Sequence, residues 1–282
     1  MTEAYLGLGS NLGDRSGHLK AAVTGLGSVD GVRIKGISSI YRTEPIGFVD
    51  QDAFFNVVVR VETELEPLEL LERCLEIERN RGRERLERWG PRTLDIDLLV
   101  FGDRSSRDER LTLPHPLIAE RAFVLVPLLE LWPKAEIGGL SVKSFLDKLG
   151  VDGVDRLIAF EDCETVAIVG ASLKPDRYSN RAQRMLTDFG HSVIPVSAIG
   201  VDVLGVPGYP NLESFGEKMD TVTLYVGPAR QEEIIAEILV LSPKRVIFNP
   251  GTESVQSETT LEAAGIKAKQ ACTLTLLQTG QF

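Results

Sequence analysis

The pattern of strands and helices changes near residues 150–162, and this change constrains the fold more than any other feature. Beyond it, continuous apolar segments of strand type lie at 165–169, 192–196, 221–226 and 245–248. Helical segments accompany them at 182–189, 232–239 and 254–264. Buried-type strands alternating with helices are typical of a parallel, doubly wound sheet. The second half is therefore predicted to be an α/β domain.

The first half follows a mixed pattern. Strand-like segments at 4–10, 34–41 and 54–62 are interrupted by helical spacing at 18–26 and 67–77. This order predicts an antiparallel α+β sandwich of the ferredoxin-like kind. The chain is accordingly expected to form two domains, 1–155 and 162–282.

Composition limits the class of protein. Of the 282 residues, 43% are hydrophobic and 26% are charged, which is typical of globular chains. No apolar run reaches the ~18 residues of a membrane span, and the first residues lack a secretory signal pattern. The three cysteines are far apart and form no disulfide framework. A cytoplasmic protein that does not bind membranes is expected.

Charge is evenly divided between the halves but unevenly placed within the first. Residues 1–160 hold 21 Lys and Arg against 26 Asp and Glu, and residues 161–282 hold 10 against 15, so each half carries −5. A net charge of −10 disfavours nucleic acid as a partner. Six arginines nevertheless lie within one short stretch: Arg79, Arg81, Arg83, Arg85, Arg88 and Arg92. This concentration indicates a small polyanionic ligand.

Two aspartates follow the arginine stretch in a predicted strand. Asp95 and Asp97 are two positions apart, so their carboxylates project from one face of the strand. Leu94, Ile96 and Leu98 project from the other face. Paired carboxylates suit Mg²⁺, which takes the rest of its shell from water and phosphates. The alternative is a solvated sheet face.

The arginines favour the metal interpretation. Arginine forks match phosphate oxygens, and metal-binding acids beside arginines are typical of phosphoryl transfer. The alternative for these arginines is surface pairing with neighbouring acids, namely Glu78, Glu84 and Glu87.

The segment Arg88-Trp89-Gly90-Pro91-Arg92-Thr93-Leu94-Asp95-Ile96-Asp97 resembles the signature of the 6-hydroxymethyl-7,8-dihydropterin pyrophosphokinases. The resemblance extends over roughly residues 2 to 150. Further matching segments are Gly9-Ser10-Asn11-Leu12-Gly13-Asp14, Tyr41-Arg42-Thr43-Glu44-Pro45-Ile46-Gly47, Phe54-Phe55-Asn56, Arg110-Leu111-Thr112-Leu113-Pro114-His115-Pro116 and Arg121-Ala122-Phe123. The family transfers the β,γ-pyrophosphoryl group of ATP to the pterin hydroxymethyl oxygen and releases AMP.

The resemblance implies roles on the nucleotide side of the site. Asp95 and Asp97 are expected to hold two Mg²⁺ ions along the triphosphate. Arg83 and Arg92 are expected to act catalytically on the bridging and terminal phosphates. The remaining ATP-binding residues implied by the family are Arg85, Arg110, Thr112, His115 and Arg121. His115 is expected to contact the nucleotide and not to act as a general base.

The same resemblance implies a pterin pocket. Phe54 and Phe123 are expected to sandwich the pterin ring, which suits a flat heteroaromatic substrate. Asn56 offers a donor and an acceptor to the ring edge. The other expected lining residues are Thr43, Pro45 and Ile46. Glu44 departs from the family pattern, in which many relatives carry a second proline, and the arginine loop is about one residue short.

The second half carries a possible phosphate cradle of a different kind. The predicted strand 165–169 leads into Gly170-Ala171-Ser172-Leu173-Lys174-Pro175-Asp176-Arg177-Tyr178-Ser179, a small-residue turn before a helix. No acidic residue follows the second strand, which disfavours a nicotinamide cofactor. Over residues 162 to 280 this half resembles the small CoA-binding domains of Rossmann-like fold. The resemblance implies CoA or acyl-CoA bound by Gly170, Ala171, Ser172, Lys174, Arg177 and Ser179.

Two functions from different classes follow. The first is a Mg²⁺-dependent diphosphokinase of folate biosynthesis that acts on ATP and 6-hydroxymethyl-7,8-dihydropterin, fused to a domain that binds CoA without catalysis. The second is a non-catalytic nucleotide-binding sensor, which only Glu44 and the shortened loop favour.

Overall fold

The structure is a computed structural model, and it describes residues 1–45, 51–82 and 90–282. The chain divides into two compact units, Met1–Asp162 and Cys163–Phe282. No helix in these described ranges is both long and apolar enough to cross a membrane.

The first unit is built on a six-stranded antiparallel sheet. Its elements in chain order are β1 (Thr2–Ser10), α1 (Arg15–Gly27), β2 (Val32–Ile37), β3 (Ile40–Thr43), β4 (Phe54–Thr63), α2 (Pro67–Asn80), β5 (Asp95–Phe101), β6 (Ser106–Arg107), β7 (Thr112–Leu113), α3 (Ala122–Leu131), β8 (Glu136–Ile137), β9 (Leu140–Ser141), α4 (Val142–Leu149) and β10 (Val154–Ile158). The strands are ordered β10-β3-β4-β1-β5, and β2 also pairs with β4. β6 with β7, and β8 with β9, form separate two-stranded pairs.

The strand predicted over 34–41 is wrong in detail, because the structure divides it. β2 and β3 both pair with β4, and Ser38 and Ser39 lie between them. The Ser38 hydroxyl accepts a hydrogen bond from the Val58 backbone N–H at 2.9 Å, and the Ser39 hydroxyl donates to Glu130 of α3 at 2.8 Å. These side-chain bonds, together with the Ser38 N–H that donates to the Val58 carbonyl at 2.9 Å, hold the two serines between the strands. β10 extends to Ile158, so the predicted domain end at residue 155 falls inside a strand.

The sheet's side chains alternate between two cores. Leu99 of β5, Tyr5 of β1 and Val58 of β4 pack in one apolar cluster with Leu125 of α3. Helix α2 packs against β5, and α1 packs against both β1 and α2. Asp95 and Asp97 precede Leu99 at alternate positions of β5 and therefore share its face of the sheet. The two aspartates accordingly lie on the face that packs against α3.

The second unit has the expected parallel sheet, and its topology is compatible with a Rossmann-like fold. Its elements are β11 (Thr165–Val169), α5 (Tyr178–Asp188), β12 (Ser192–Val196), β13 (Thr221–Leu224), α6 (Glu232–Leu241), β14 (Arg245–Phe248), α7 (Val255–Ala263), β15 (Lys267–Gln270) and α8 (Thr273–Gln278). The strand order is β12-β11-β13-β14-β15, and all pairs are parallel. The order reverses at β11, where doubly wound sheets open a crevice at their carboxyl ends.

Histidine 18 gives the first unit a defined sensitivity to acid. Its Nδ1 lies 3.1 Å from Nη2 and 3.3 Å from Nε of Arg81, which follows α2. Burial, together with the Arg81 charge, lowers the pKa of His18 from 6.5 to about 4. The folded chain therefore holds this histidine neutral over a pH range in which the unfolded chain protonates it.

Stability should consequently fall as the pH decreases from about 6.5 to 4, and replacing His18 should reduce this dependence. If only the unfolded state binds the proton, the free energy of unfolding falls by about 1.4 kcal/mol for each unit by which the pH decreases. Urea unfolding of wild type and His18→Gln at about pH 7 and about pH 5 should show a smaller loss for the variant. Equal losses in the two proteins would contradict the assignment.

Candidate active site

A cavity of about 210 Å³ opens on the α3 face of the first sheet. The strands β1, β3, β4 and β5 and the segment leading into α3 all contribute lining residues. Eight of the predicted site residues line it: Thr43, Phe54, Asn56, Arg92, Asp95, Asp97, Arg121 and Phe123. The structure thus brings both predicted halves of the site, nucleotide and pterin, to one place.

The register of three strands fixes the layout of this cavity. Gly9 of β1 lies opposite Asn56 of β4 on one side and opposite Asp95 of β5 on the other. The next same-face position, Gly7, lies opposite Val58 and Asp97 in the same way. Because neighbouring strands are about 4.8 Å apart, the backbones of Asn56 and Asp95 are separated by roughly 10 Å.

The two glycines of β1 form the floor between these walls. A Cβ added at Gly9 would lie 3.1 Å from the Asn56 Oδ1, and one added at Gly7 would lie 3.3 Å from Leu99 Cδ2. Sequence reasoning placed Gly7 and Gly9 near the end of a strand, and Gly9 also in a segment that matches the family, but it gave neither glycine a role in the site. Glycine inside a strand often marks a close approach of backbone or ligand, and that signal was available in the sequence.

Each aspartate faces a guanidinium group. Arg92 Nη1 donates to Asp95 Oδ2. Arg121 Nη1 donates to Asp97 Oδ2 at 3.0 Å, and His115 Nε2 lies 3.9 Å from the same oxygen. The anionic and cationic residues predicted for the phosphates are therefore neighbours in the folded chain.

Burial shifts the protonation of this group. It raises the pKa of the Asp97 carboxyl above its usual range, and the Asp95 charge adds to this effect against the opposing charges of His115 and Arg121. Burial also lowers the pKa of His115, so this ring is neutral at pH 7. The Leu117 N–H donates to His115 Nδ1 at 3.2 Å, which leaves the proton of the neutral ring on Nε2, facing Asp97. The neutral His115 ring therefore presents an N–H donor on the side of Asp97.

Asn11 holds the arginine side of the site in position. It is buried, and its Oδ1 accepts from the Arg92 N–H at 2.8 Å while its own N–H donates to the Arg92 carbonyl at 3.1 Å. Its Nδ2 donates to Gln51 Oε1 at 3.0 Å and to the Asp52 carbonyl at 3.2 Å. Asn11 was part of a matched motif, but no pattern in the sequence assigned it this positioning role.

Glu78 holds the aspartate strand from the other side. It is only 2% exposed in the last turn of α2, and its Oε1 accepts from the Ile96 N–H at 2.7 Å. Ile96 lies between the two aspartates. The alternative that Glu78 pairs with the arginines at the surface is therefore wrong, because Glu78 is buried. The buried side of α2 is Leu70, Cys74 and Glu78, a spacing of four that pointed inward.

The remaining predicted residues of this site lie elsewhere or outside the described ranges. Arg110 is exposed and pairs with Glu72 at 3.0 Å, and Thr112 is exposed beside the Asp108 carbonyl. Neither residue lines the cavity, and Pro45 and His115 do not line it either. Ile46, Arg83 and Arg85 lie outside the described residues. The individual roles of all these residues stay predictions.

The second unit has a larger cavity, of about 1080 Å³, where β11, β12, β13 and β14 end. Five of the six residues predicted to bind CoA line it: Gly170, Ala171, Ser172, Arg177 and Ser179. Gly170 adopts φ +93°, and a Cβ there would lie 2.9 Å from the Tyr225 carbonyl oxygen, so this turn requires glycine. Buried Asn180 donates to the Ser172 carbonyl at 2.8 Å and holds the turn against α5.

Lys174, which was expected to bind CoA, and the buried Asn249 both lie outside the lining of this cavity. Lys174 is exposed and does not line the cavity. The Asn249 side chain is buried. Its Nδ2 donates a hydrogen bond to the Thr223 hydroxyl at 2.7 Å, and its Oδ1 accepts one from the Thr273 N–H at 2.9 Å. It therefore ties β13 to α8, whereas the following residues Pro250, Gly251 and Thr252 line the cavity.

In the first unit, paired carboxylates and guanidinium groups share a cavity with two half-buried aromatic rings, Phe54 and Phe123. This combination defines a phosphotransferase that acts on a flat heterocycle. Comparison with known proteins makes the class specific. Residues 5–133 match the family model of 7,8-dihydro-6-hydroxymethylpterin-pyrophosphokinase, and residues 164–278 match that of a CoA binding domain.

Two pyrophosphokinases agree with the first match. The 2-amino-4-hydroxy-6-hydroxymethyldihydropteridine pyrophosphokinase of Methylorubrum extorquens is 51% identical over 157 residues, which cover 56% of this chain and 99% of that protein. The enzyme of the same name from Bacillus subtilis is 43% identical over 164 residues, covering 56% and 97%. A crystal structure of an uncharacterized protein matches with 38% identity and a TM-score of 0.39, covering 43% of this chain and 98% of that one.

The chain belongs to the 7,8-dihydro-6-hydroxymethylpterin-pyrophosphokinase family and carries a CoA binding domain after it. These matches support the diphosphokinase of folate biosynthesis and not the alternative of a sensor without catalysis.

Removing the Glu78 carboxylate should destabilise the first unit. Glu78→Ala leaves the Ile96 N–H without this acceptor in the protein interior, which costs about 2 kcal/mol. Glu76→Ala on the same helix is the matched control, because Glu76 is exposed and pairs with Arg73 at the surface. Urea unfolding should separate the two variants. A Glu78→Ala protein as stable as the Glu76→Ala protein would argue against this role.

Proposed function

We propose that the first unit transfers the β,γ-pyrophosphoryl group of ATP to the hydroxymethyl oxygen of 6-hydroxymethyl-7,8-dihydropterin and releases AMP. The observation that carries this proposal is the alignment of Asn56, Gly9 and Asp95 across three strands. It sets an amide on one side of a glycine floor and paired carboxylates on the other, and the aromatic rings of Phe54 and Phe123 line the same cavity. A flat acceptor and a triphosphate then meet over the glycines.

The carboxylates suit the two Mg²⁺ ions that the family resemblance implies. Among the described residues, no group of three or more His, Cys, Asp or Glu side chains is placed to hold a metal ion. Asp95 and Asp97 supply two hard oxygen ligands, and Mg²⁺ takes the rest of its shell from phosphates and water. The raised pKa of Asp97 reflects burial and repulsion from Asp95, and the charge of a bound divalent cation would offset both effects. When bound, Mg²⁺ supplies charge neutralisation along the triphosphate.

The chain's own residues supply positioning and counter-charge. Arg92 and Arg121 pair with carboxylates here, and the same guanidinium forks pair with phosphate oxygens. His115 donates through Nε2–H and so binds an oxygen without taking a proton. Phe54 and Phe123 hold the ring by its faces, which orients the hydroxymethyl oxygen toward the phosphates. Arg83 and Arg85 belong to this proposal through the family resemblance.

Asp95 and Asp97 should be required for turnover. Asp95→Ala and Asp97→Ala should each reduce kcat by at least about 100-fold, since removal of a group that stabilises transition-state charge costs on this order. AMP formation from ATP, measured with and without the pterin, is the readout. Asp103→Ala changes an exposed aspartate after β5 and should leave the rate unchanged. Full activity of either site variant would refute the proposed metal role.

We further propose that the second unit binds CoA or acyl-CoA and carries out no reaction there. The glycine turn after β11 and the start of α5 at Tyr178 support the binding of CoA, because a helix N-terminus beside a close-approach turn accommodates phosphates.

We also propose a ferredoxin-like fold for the first unit, supported by the order β5-β1-β4-β2. The cytoplasm is the compartment proposed, supported by the free thiols of Cys74, Cys163 and Cys272.

Arg177 should contribute to CoA affinity. Arg177→Ala removes a cation at the edge of the cavity and should weaken CoA binding about fivefold, as expected for one phosphate contact. Titration calorimetry of the full chain with CoA measures this. Lys218→Ala removes an exposed cation outside the cavity lining and serves as the control. Equal affinity of wild type and Arg177→Ala would contradict the assignment.

A further inference from the structure

The pterin side of the first cavity has a wall whose hydrogen-bonding groups are already oriented. Asn56 Nδ2 donates to the Thr43 hydroxyl oxygen at 2.7 Å. This bond fixes the amide, so its Oδ1 faces the floor near Gly9. The Thr43 oxygen accepts from Asn56, which leaves its own proton to donate. The wall therefore offers one acceptor, Asn56 Oδ1, and one donor, the Thr43 hydroxyl.

Glu44 adds a carboxylate to this wall. It directly follows Thr43 at the end of β3 and lines the same cavity. In the described part of the chain its side chain makes no hydrogen bond or ion pair, whereas Asp95 and Asp97 in the same cavity are each paired with an arginine. The remaining cavity carboxylate, Glu120, directly precedes Arg121 in the turn before α3, whereas Thr43 and Asn56 belong to strands β3 and β4.

The proposed substrate has a complementary edge. A 2-amino-4-oxopteridine presents two adjacent donors, the ring N3–H and the exocyclic 2-amino group. Asn56 Oδ1 supplies one acceptor, and an edge with two donors needs a second. A carboxylate accepts such bonds more strongly than a neutral oxygen does.

We propose that Glu44 accepts a hydrogen bond from the 2-amino group of the pterin and makes the site selective for 2-aminopteridines. This inference rests on the proposed function of the first unit. Glu44 acts in substrate recognition and not in the chemical step, because the reacting oxygen is at the opposite end of the ring from the 2-amino group. Its contribution therefore belongs to the KM for the pterin.

The first test is the steady-state kinetics of Glu44→Gln in the full chain. The KM for 6-hydroxymethyl-7,8-dihydropterin should rise about tenfold, because a charge-assisted hydrogen bond is replaced by a neutral one. The kcat and the KM for ATP should not change. Glu44→Asp keeps the carboxylate and should recover part of the affinity. Glu64→Gln removes an exposed charge just after β4, outside the cavity lining, and is the charge-matched control.

The second test uses an analogue in which oxygen replaces the 2-amino group. Wild type should lose about tenfold in kcat/KM with this analogue relative to the pterin, whereas Glu44→Gln should lose little. An equal loss in both proteins, or an unchanged pterin KM in an active Glu44→Gln enzyme, overturns the role of Glu44 alone. A wild-type chain that forms no AMP with the pterin overturns the proposed function and this inference together.

Discussion

The hydrogen-bonded register of β1 between β4 and β5 is the constraint on which the active site depends. It places glycine at two successive positions of the central strand, with Asn56 and Val58 on one side and the two aspartates on the other. A shift of one residue would turn every one of these side chains to the opposite face. The apolar packing of Leu99 with α3 resists that shift, so the core of the unit also fixes the geometry of its site.

Electrostatics explains why the site needs support from several elements. Two carboxylates on one strand face repel each other, and burial makes the charged form of Asp97 still less favourable. Arg92 and Arg121 compensate this cost, and each comes from a different part of the chain. Asn11 holds Arg92 by its backbone, and Glu78 holds Ile96 between the aspartates. The cavity is therefore kept in shape before any ligand enters.

Local patterns in the sequence were sufficient to predict the strand that carries Asp95 and Asp97, and the parallel sheet of the second unit. The period of two settles which side chains share a face, and this needs no knowledge of distant residues. The roles of Asn11 and Glu78 could not be obtained in this way, because their partners are 81 and 18 residues away. Arg110 and Thr112 show the converse limit: the family motif predicts that they contact the nucleotide, whereas the structure shows only that both are exposed and outside the cavity lining, so their roles stay predictions.

The pairing of β10, the last strand of the first sheet, has a consequence for the synthesis and the evolution of this two-domain chain. It pairs with β3, the strand that ends at Thr43, and it is the last strand before the second unit begins at Cys163. During synthesis, the sheet behind the pterin wall stays incomplete until Ile158 has left the ribosome. Any recombination event that exchanged the CoA binding domain would have to join after β10 to leave the diphosphokinase with its full sheet.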